Sequence, residues 1–221
     1  MLVSLSHSFI FVHVPKTAGS SITKILTPYS LPRNNSTINK LISRWAPKWH
    51  YHQHHFRYHD GIQEAYRALP IDFVEQAYKF AFVRNPYDWL VSLYEYIRQQ
   101  HKHRYHKKIL AMDFATYIDF EISRNRRSQN RLLCNHQGQL QVNFIGRIEN
   151  IEMDFNKTCQ QINIEPVTLP YINGSVHRDY REYYTSQLKQ KVAQHWARDL
   201  NIFGYNFSGI QNEHIDLGRD I

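Results

Sequence analysis

The chain has 221 residues, of which 42% are hydrophobic and 14% aromatic, and this composition excludes a disordered or collagen-like chain. Lysine and arginine outnumber aspartate and glutamate by 27 to 19, and the resulting formal charge of +8 favours anionic ligands or partners. Two cysteines are too few for a disulfide scaffold. The early apolar run at 9–14 is too short for a membrane span, and it lacks the basic region and small-residue cleavage site of a signal peptide. We therefore expect a cytoplasmic protein without an integral membrane segment.

The first predicted strand is the run Phe9–Val14, which is apolar on both faces as in a central parallel strand. A turn with the sequence PKTAGSS follows it, and then comes a helical pattern that contains Ile22, Ile25 and Leu26. This arrangement predicts a strand–turn–helix unit.

The second predicted strand is the run 80–84, with the sequence FAFVR. Asn85 fits the N-cap of the next helix, Pro86 its first position and Asp88 its third. The sequence therefore predicts a second strand–turn–helix unit, with the helix starting at residue 86.

Later segments complete the pattern of strands and helices. Residues 142–145 predict a third strand, and Thr185 predicts the cap of a helix near the C-terminal end. Alternating strands and helices indicate an α/β fold with a parallel sheet, formed as one domain over 1–221. The polar, aromatic and basic segments 31–60 and 98–131 predict insertions or a mostly helical lid.

The turn PKTAGSS has the composition of an anion site at a helix N-terminus. Lys16 supplies a positive charge, and Thr17, Ser20 and Ser21 supply hydroxyl groups. The pattern GxxxxGK[ST] of ATP-binding loops is absent, so a metal-dependent kinase is not expected. An ordinary strand–turn–helix connection is the alternative interpretation.

The second turn places Arg84 at a strand end and Ser92 two turns into the following helix. The guanidinium fork and the hydroxyl suit a phosphate group. Taken alone, Arg84 fits a structural ion pair with Asp88 equally well.

Together, the sequences HVPKTAGSS at 13–21 and FVRNPYDWLVSLY at 82–94 resemble the two cofactor signatures of sulfotransferases that use 3′-phosphoadenosine 5′-phosphosulfate (PAPS). The chain is most similar to the carbohydrate-type family of heparan and chondroitin sulfotransferases and their bacterial relatives. The resemblance continues at 144–155 and 169–207. It implies a three-layer fold like that of P-loop kinases, with helices on both sides of a central parallel sheet.

The resemblance also implies a set of donor-binding residues and a reaction that needs no metal. Lys16 would act in catalysis by stabilising charge on the bridging oxygen of the donor. The residues implied for the 5′-phosphosulfate are Lys16, Thr17, Ala18, Gly19, Ser20 and Ser21. Arg84 and Ser92 would bind the 3′-phosphate, and the loop 173–178, with Ser175 and Arg178, would close over the nucleotide.

The general base is expected in the segment 50–59, where five of the ten residues are histidine. Asp60 fits the cap of a helix over 62–69, which places His54 and His55 at the offset that the family implies. Which of the two acts as base stays open at this point. Adventitious zinc or nickel binding, or simple solvation of the histidines, are the alternatives.

The expected reaction is in-line transfer of a sulfuryl group to an acceptor hydroxyl, which the resemblance places on a carbohydrate. The basic segment 98–108 favours an anionic acceptor, with a solvated helix face as the alternative. No nucleic-acid-binding motif accompanies the charge, so no nucleic-acid partner is expected. The rival interpretation is a non-catalytic protein that binds a nucleotide or polyanion on the same fold.

Overall fold

The structure, a computed structural model, describes residues 1–32, 56–126, 128–170, 177–212 and 215. It divides into two compact units. The first contains Met1–Val83, Arg131–Ile172 and Leu217–Ile221, and the second contains Arg84–Asn130 and Asn173–Asp216. That 1–221 acts as one domain stays a prediction.

The described helices and strands alternate along the chain, as the sequence predicts. In chain order they are β1 (Leu2–Ser4), β2 (Phe9–Val12), α1 (Gly19–Leu26), α2 (Ile62–Ala68), α3 (Ile71–Gln76), β3 (Tyr78–Val83), α4 (Pro86–Gln99), α5 (His106–Leu110), α6 (Phe114–Ser123), α7 (Asn130–Leu133), β4 (Phe144–Arg147), α8 (Ile151–Gln161), α9 (Ser186–His195), α10 (Ala197–Phe203), β5 (Tyr205–Asn206) and β6 (Gly209–Ile210).

The first unit is built on a four-stranded sheet in the order β1-β2-β3-β4. Strand β1 runs antiparallel to β2, whereas β2, β3 and β4 are parallel, so the predicted α/β fold with a mainly parallel sheet is confirmed. Because β2 and β3 are parallel neighbours, their carboxyl ends lie at the same edge of the sheet. Ligands of open α/β sheets bind at that edge.

The core of the first unit is formed by aromatic side chains of β2 and β3 together with α1 and α8. Its fully buried members include Phe9, Phe11, Phe80, Phe82 and Phe155. The burial of every residue of β2 confirms that this strand is apolar on both faces. The strand ends at Val12 rather than Val14.

Strand β4 shows how a glycine makes room for this core. It spans Phe144–Arg147, two residues later than the sequence predicts. Gly146 pairs with Phe82 on β3, and the Phe82 ring lies where a side chain on Gly146 would start. The missing Cβ therefore lets the ring cover the strand.

A buried lysine of β3 caps the C-terminal end of helix α3. Lys79 on β3 is 1% exposed, and its Nζ donates to the carbonyl oxygens of Val74 (2.6 Å), Glu75 (3.2 Å) and Ala77 (3.1 Å). The last carbonyl groups of a helix have no partner within it, and the ammonium group provides one. A strand residue thus fixes the preceding helix against the sheet.

The second unit is mainly helical and begins with α4. Asn85 Oδ1 accepts a hydrogen bond from the Tyr87 N–H (3.1 Å), and Pro86 occupies the first position, as predicted. Thr185 Oγ1 likewise accepts from the Leu188 N–H (3.2 Å) at the start of α9. The segment 98–131 carries α5 and α6, so its helical character is confirmed within the described residues.

Neither cysteine forms a disulfide: Cys134 and Cys159 are buried thiols. Burial raises the pKa of the Cys159 thiol, which agrees with a packing role.

Among the residues that the structure describes, no helix has the length and apolar character that crossing a membrane requires.

Candidate functional site

The loop between β2 and α1 has an unusual backbone. Lys16 and Ala18 both adopt the left-handed conformation, with φ of 64° and 53°. Left-handed residues within a turn point successive N–H groups into a concave anion site, and α1 adds the positive end of its dipole. The geometry of this loop suits a phosphate or sulfate group.

Some side chains of the loop are buried and stabilise its backbone, whereas others are partly exposed to solvent. Thr17 is fully buried, and its Oγ1 donates to the Val14 carbonyl oxygen (2.9 Å). The Thr17 hydroxyl hydrogen is therefore used within the loop, and the predicted contact of Thr17 with the donor stays a prediction. Lys16 and Ser20 are half-buried, and Ser21 is buried in the first turn of α1.

The His13 imidazole packs against Gly19 at the end of the loop. A Cβ added at Gly19 would overlap the imidazole of His13, so only glycine permits this approach of ring and helix. The ring is 4% exposed and stacks near Phe11 (centroids 5.8 Å apart). His13 thereby links the loop to the core of the sheet.

His59 also contacts His13, and it was not among the bases predicted from the sequence. Its Nδ1 is 3.0 Å from the His13 carbonyl oxygen, and the two rings are 4.8 Å apart. Because a carbonyl oxygen only accepts, Nδ1 carries the hydrogen, and neutral His59 has its lone pair on Nε2. His59 itself is an exposed residue.

The backbone before His59 is also fixed. The nitrogen of Met1 lies 2.8 Å from the Arg57 carbonyl oxygen and 2.7 Å from that of Tyr58. The expected cap at Asp60 is wrong: its Oδ2 accepts from the Arg57 N–H (2.6 Å), and the N-cap of α2 is Gly61. The predicted bases His54 and His55 lie outside the described residues.

In the second unit, Arg84 is held by two side chains. Its Nε lies 2.6 Å from Asp88 Oδ2, which confirms the ion pair that the sequence left open. Its Nη2 lies 3.2 Å from His177 Nε2. His177 Nδ1 is 2.8 Å from the Arg178 carbonyl oxygen, so Nδ1 carries the hydrogen and Nε2 accepts from the guanidinium.

Gln129 fixes the backbone of Arg84, and nothing in the sequence pattern marked it. The Arg84 N–H donates to Gln129 Oε1 (3.0 Å), and Gln129 Nε2 donates to the Arg84 carbonyl oxygen (2.8 Å). The Gln129 N–H in turn donates to Asp199 Oδ2 (2.9 Å). Both Gln129 and Asp199 are fully buried, and burial raises the pKa of the Asp199 carboxyl.

The other residues predicted for the 3′-phosphate and the closing loop lie in different environments. Ser92 has no exposed surface on α4. Arg178 is 71% exposed at its side chain and pairs with Glu182 (3.3 Å). Ser175 lies outside the described residues. Among the described side chains, no group of three or more His, Cys, Asp or Glu is arranged to hold a metal ion.

A model of the Sulfotransferase family matches residues 1–206. The chain belongs to the sulfotransferase family. The match includes both turns, His59, the Arg84–Asp88 pair and Gln129. Comparison with curated proteins and with solved structures gave no match. As a sulfotransferase, the chain transfers a sulfuryl group from a sulfate donor to an acceptor that carries a hydroxyl.

Proposed function

We propose that this sulfotransferase uses PAPS and transfers its sulfuryl group to a carbohydrate hydroxyl. The observation that carries the proposal is the loop with left-handed Lys16 and Ala18, which precedes α1 and rests on the His13 ring. Its N–H groups and lysine suit a sulfated phosphate without help from a metal ion. The family resemblance supports PAPS as the donor and a carbohydrate as the acceptor.

The loop between β2 and α1 supplies the groups proposed for the donor's phosphosulfate. PAPS carries the sulfuryl group in activated form on a phosphate oxygen. The loop N–H groups of 16–21 would bind the anionic end, and the Lys16 ammonium would stabilise the negative charge that develops on the bridging oxygen. Such fixed charges lower the barrier because they need no rearrangement during the reaction.

Arg84 is the residue proposed for the 3′-phosphate. Gln129 fixes the Arg84 backbone, and Asp88 and His177 hold the guanidinium on two of its nitrogens. A preorganised guanidinium loses little side-chain entropy on binding. We assign Ser92, Ser175 and Arg178 to the same nucleotide, with Ser92 within α4 and the other two in the segment 173–178.

A histidine before α2 removes the proton from the acceptor hydroxyl. His54 and His55 remain candidates from the sequence, and the geometry adds His59. Its Nδ1 is bound to the His13 carbonyl, so Nε2 is the proton-accepting atom. The same His13 supports the donor loop at Gly19, which couples the position of this base to the loop within one unit.

The donor site is tested by calorimetric titration with adenosine 3′,5′-bisphosphate, with 5′-AMP and ATP–Mg²⁺ as controls. We expect micromolar binding that requires the 3′-phosphate. Arg84→Ala should weaken this binding by about tenfold or more, since a charge-assisted contact contributes about 1.5–3 kcal/mol.

Lys16→Ala should reduce turnover with PAPS by roughly a hundredfold, while the affinity for adenosine 3′,5′-bisphosphate changes little. Preference for ATP–Mg²⁺ would contradict the proposal, and binding without turnover on any carbohydrate would favour the non-catalytic alternative.

The base is tested by comparing His54→Ala, His55→Ala and His59→Ala in parallel. Removing a general base should reduce kcat by about 10²–10⁴-fold and leave affinity for adenosine 3′,5′-bisphosphate unchanged. His59→Gln is the matched variant, because it keeps a hydrogen-bond donor toward His13 but has no basic nitrogen. If only His54→Ala or His55→Ala is inactive, His59 is excluded as the base.

A further inference from the structure

His177 lies against the ion pair of Arg84 and Asp88 in the second unit. Its Nε2 is 3.2 Å from Arg84 Nη2 and 3.9 Å from Asp88 Oδ1. The side chains of Arg84 and Asp88 are 16% and 18% exposed, and that of His177 is 11% exposed. Solvent screens charges in such an environment only in part, so a change of charge on one of the three groups acts on the other two.

The contact with Arg84 requires a neutral imidazole. A guanidinium nitrogen only donates, so Nε2 of His177 keeps its lone pair, and the ring hydrogen is on Nδ1, which donates to the Arg178 carbonyl oxygen (2.8 Å). The positive charge of Arg84 also opposes a second positive charge at this distance. In the described geometry His177 is therefore neutral.

The other charges around His177 favour its protonation only weakly. Asp88 on α4 faces Nε2, but its Oδ2 already pairs with Arg84 Nε (2.6 Å). Asp179, on the segment that carries His177, interacts with it through charge, but its carboxylate is half-exposed and pairs with Arg181 (2.9 Å). Arg84 is thus the described group that opposes an imidazolium at residue 177, and an anion that offsets the charge of Arg84 favours one.

We propose that binding of an anion by Arg84 is coupled to uptake of one proton from solvent by His177, so that a guanidinium and an imidazolium hold the anion together. The inference rests on the proposed function, because the anion is the 3′-phosphate of the donor. A phosphate monoester carries a charge of about −1.5 to −2 near pH 7, which exceeds the single positive charge of Arg84. The new Nε2–H then donates to the phosphate or to Asp88, and the proton returns to solvent when the nucleotide leaves.

This coupling makes donor affinity depend on pH in a defined direction. If the nucleotide-bound protein holds more protons than the free protein, affinity rises as pH falls. The phosphate group alone gives the opposite trend, because protonation below about pH 6 makes it a weaker anion. A variant without the imidazole separates the two effects.

The test is calorimetric titration with adenosine 3′,5′-bisphosphate in two buffers of different ionisation enthalpy, which measures the protons taken up on binding. We expect the parent chain to take up as much as about one proton per nucleotide near pH 7. His177→Gln keeps a carbonyl oxygen that can accept from Arg84 but cannot be protonated, so its uptake should be lost. Between about pH 8.5 and about pH 6.5, the affinity of the parent chain should rise about threefold to tenfold relative to that of His177→Gln.

The matched control is His136→Gln, which removes an exposed histidine of the first unit and should take up protons as the parent chain does. Equal proton uptake by the parent chain and His177→Gln would overturn the inference, as would a loss of affinity in His177→Gln that is the same at every pH. Either result leaves the proposed function intact when Arg84→Ala still loses affinity. Absence of bisphosphate binding, or binding that does not need Arg84, would overturn both proposals.

Discussion

The His13 ring occupies the position that a Cβ atom on residue 19 would take, so the two residues leave no room for a side chain at 19. At an exposed helix position, replacing glycine by alanine is favourable by about 1 kcal/mol. At Gly19 the new Cβ would overlap the His13 imidazole, which reverses the sign. The identity of residue 19 is therefore decided by contact with a histidine six positions earlier rather than by helix propensity.

We expect Gly19→Ala to lower the free energy of unfolding by about 1–3 kcal/mol, as overpacked sites do. Adenosine 3′,5′-bisphosphate should also bind more weakly, because the ring must move against the loop. Chemical denaturation and calorimetry measure the two effects. The double variant His13→Ala/Gly19→Ala removes the overlap, so its stability should exceed the sum expected from the single variants. Strict additivity would show that the ring does not set the geometry of the loop.

At the scale of single elements, Lys79 shows how a charged residue can belong to a core. A lysine at 1% exposure is uncommon unless its ammonium group is fully hydrogen-bonded. The three carbonyl oxygens at the end of α3 provide those bonds. The sequence places Lys79 beside a strand of apolar residues, and only the position of α3 explains why a lysine is tolerated there.

Lys79→Met keeps the apolar stem but removes the ammonium group from the end of α3. We expect a loss of about 2–3 kcal/mol in the free energy of unfolding, because buried carbonyl groups lose a charged donor. Urea denaturation measures the change. The matched variant Lys24→Met removes an exposed lysine from α1 and should stay within about 0.5 kcal/mol of the parent chain. Similar losses in both would contradict a capping role for Lys79.

Across the whole molecule, the features that the sequence predicted are those set by near neighbours in the chain. Hydrophobic pattern located β2 and β3, and the side chains of Asn85 and Thr185 marked the starts of α4 and α9. The parallel sheet followed from the order of these elements.

The features that the sequence did not predict depend on residues far apart in the chain. The Arg84–Gln129 bonds span 45 positions, and the bond between His59 and His13 spans 46. Single-sequence patterns contain no signal for such pairs, although the position of His59 just before α2 was a clue. The roles of His54, His55 and Ser175 remain predictions, since these residues lie outside the described part of the chain.

Gln129 and Asp199 fix the point at which the chain returns to Arg84 after the excursion through α5 and α6. The backbone of Arg84 is therefore bound at the residue where that excursion ends. Exposed residues within 100–126 take no part in these hydrogen bonds, whereas buried ones such as His106 hold the excursion against α4. Substitution of those exposed residues can therefore change the surface that they form while the backbone of Arg84 keeps its position.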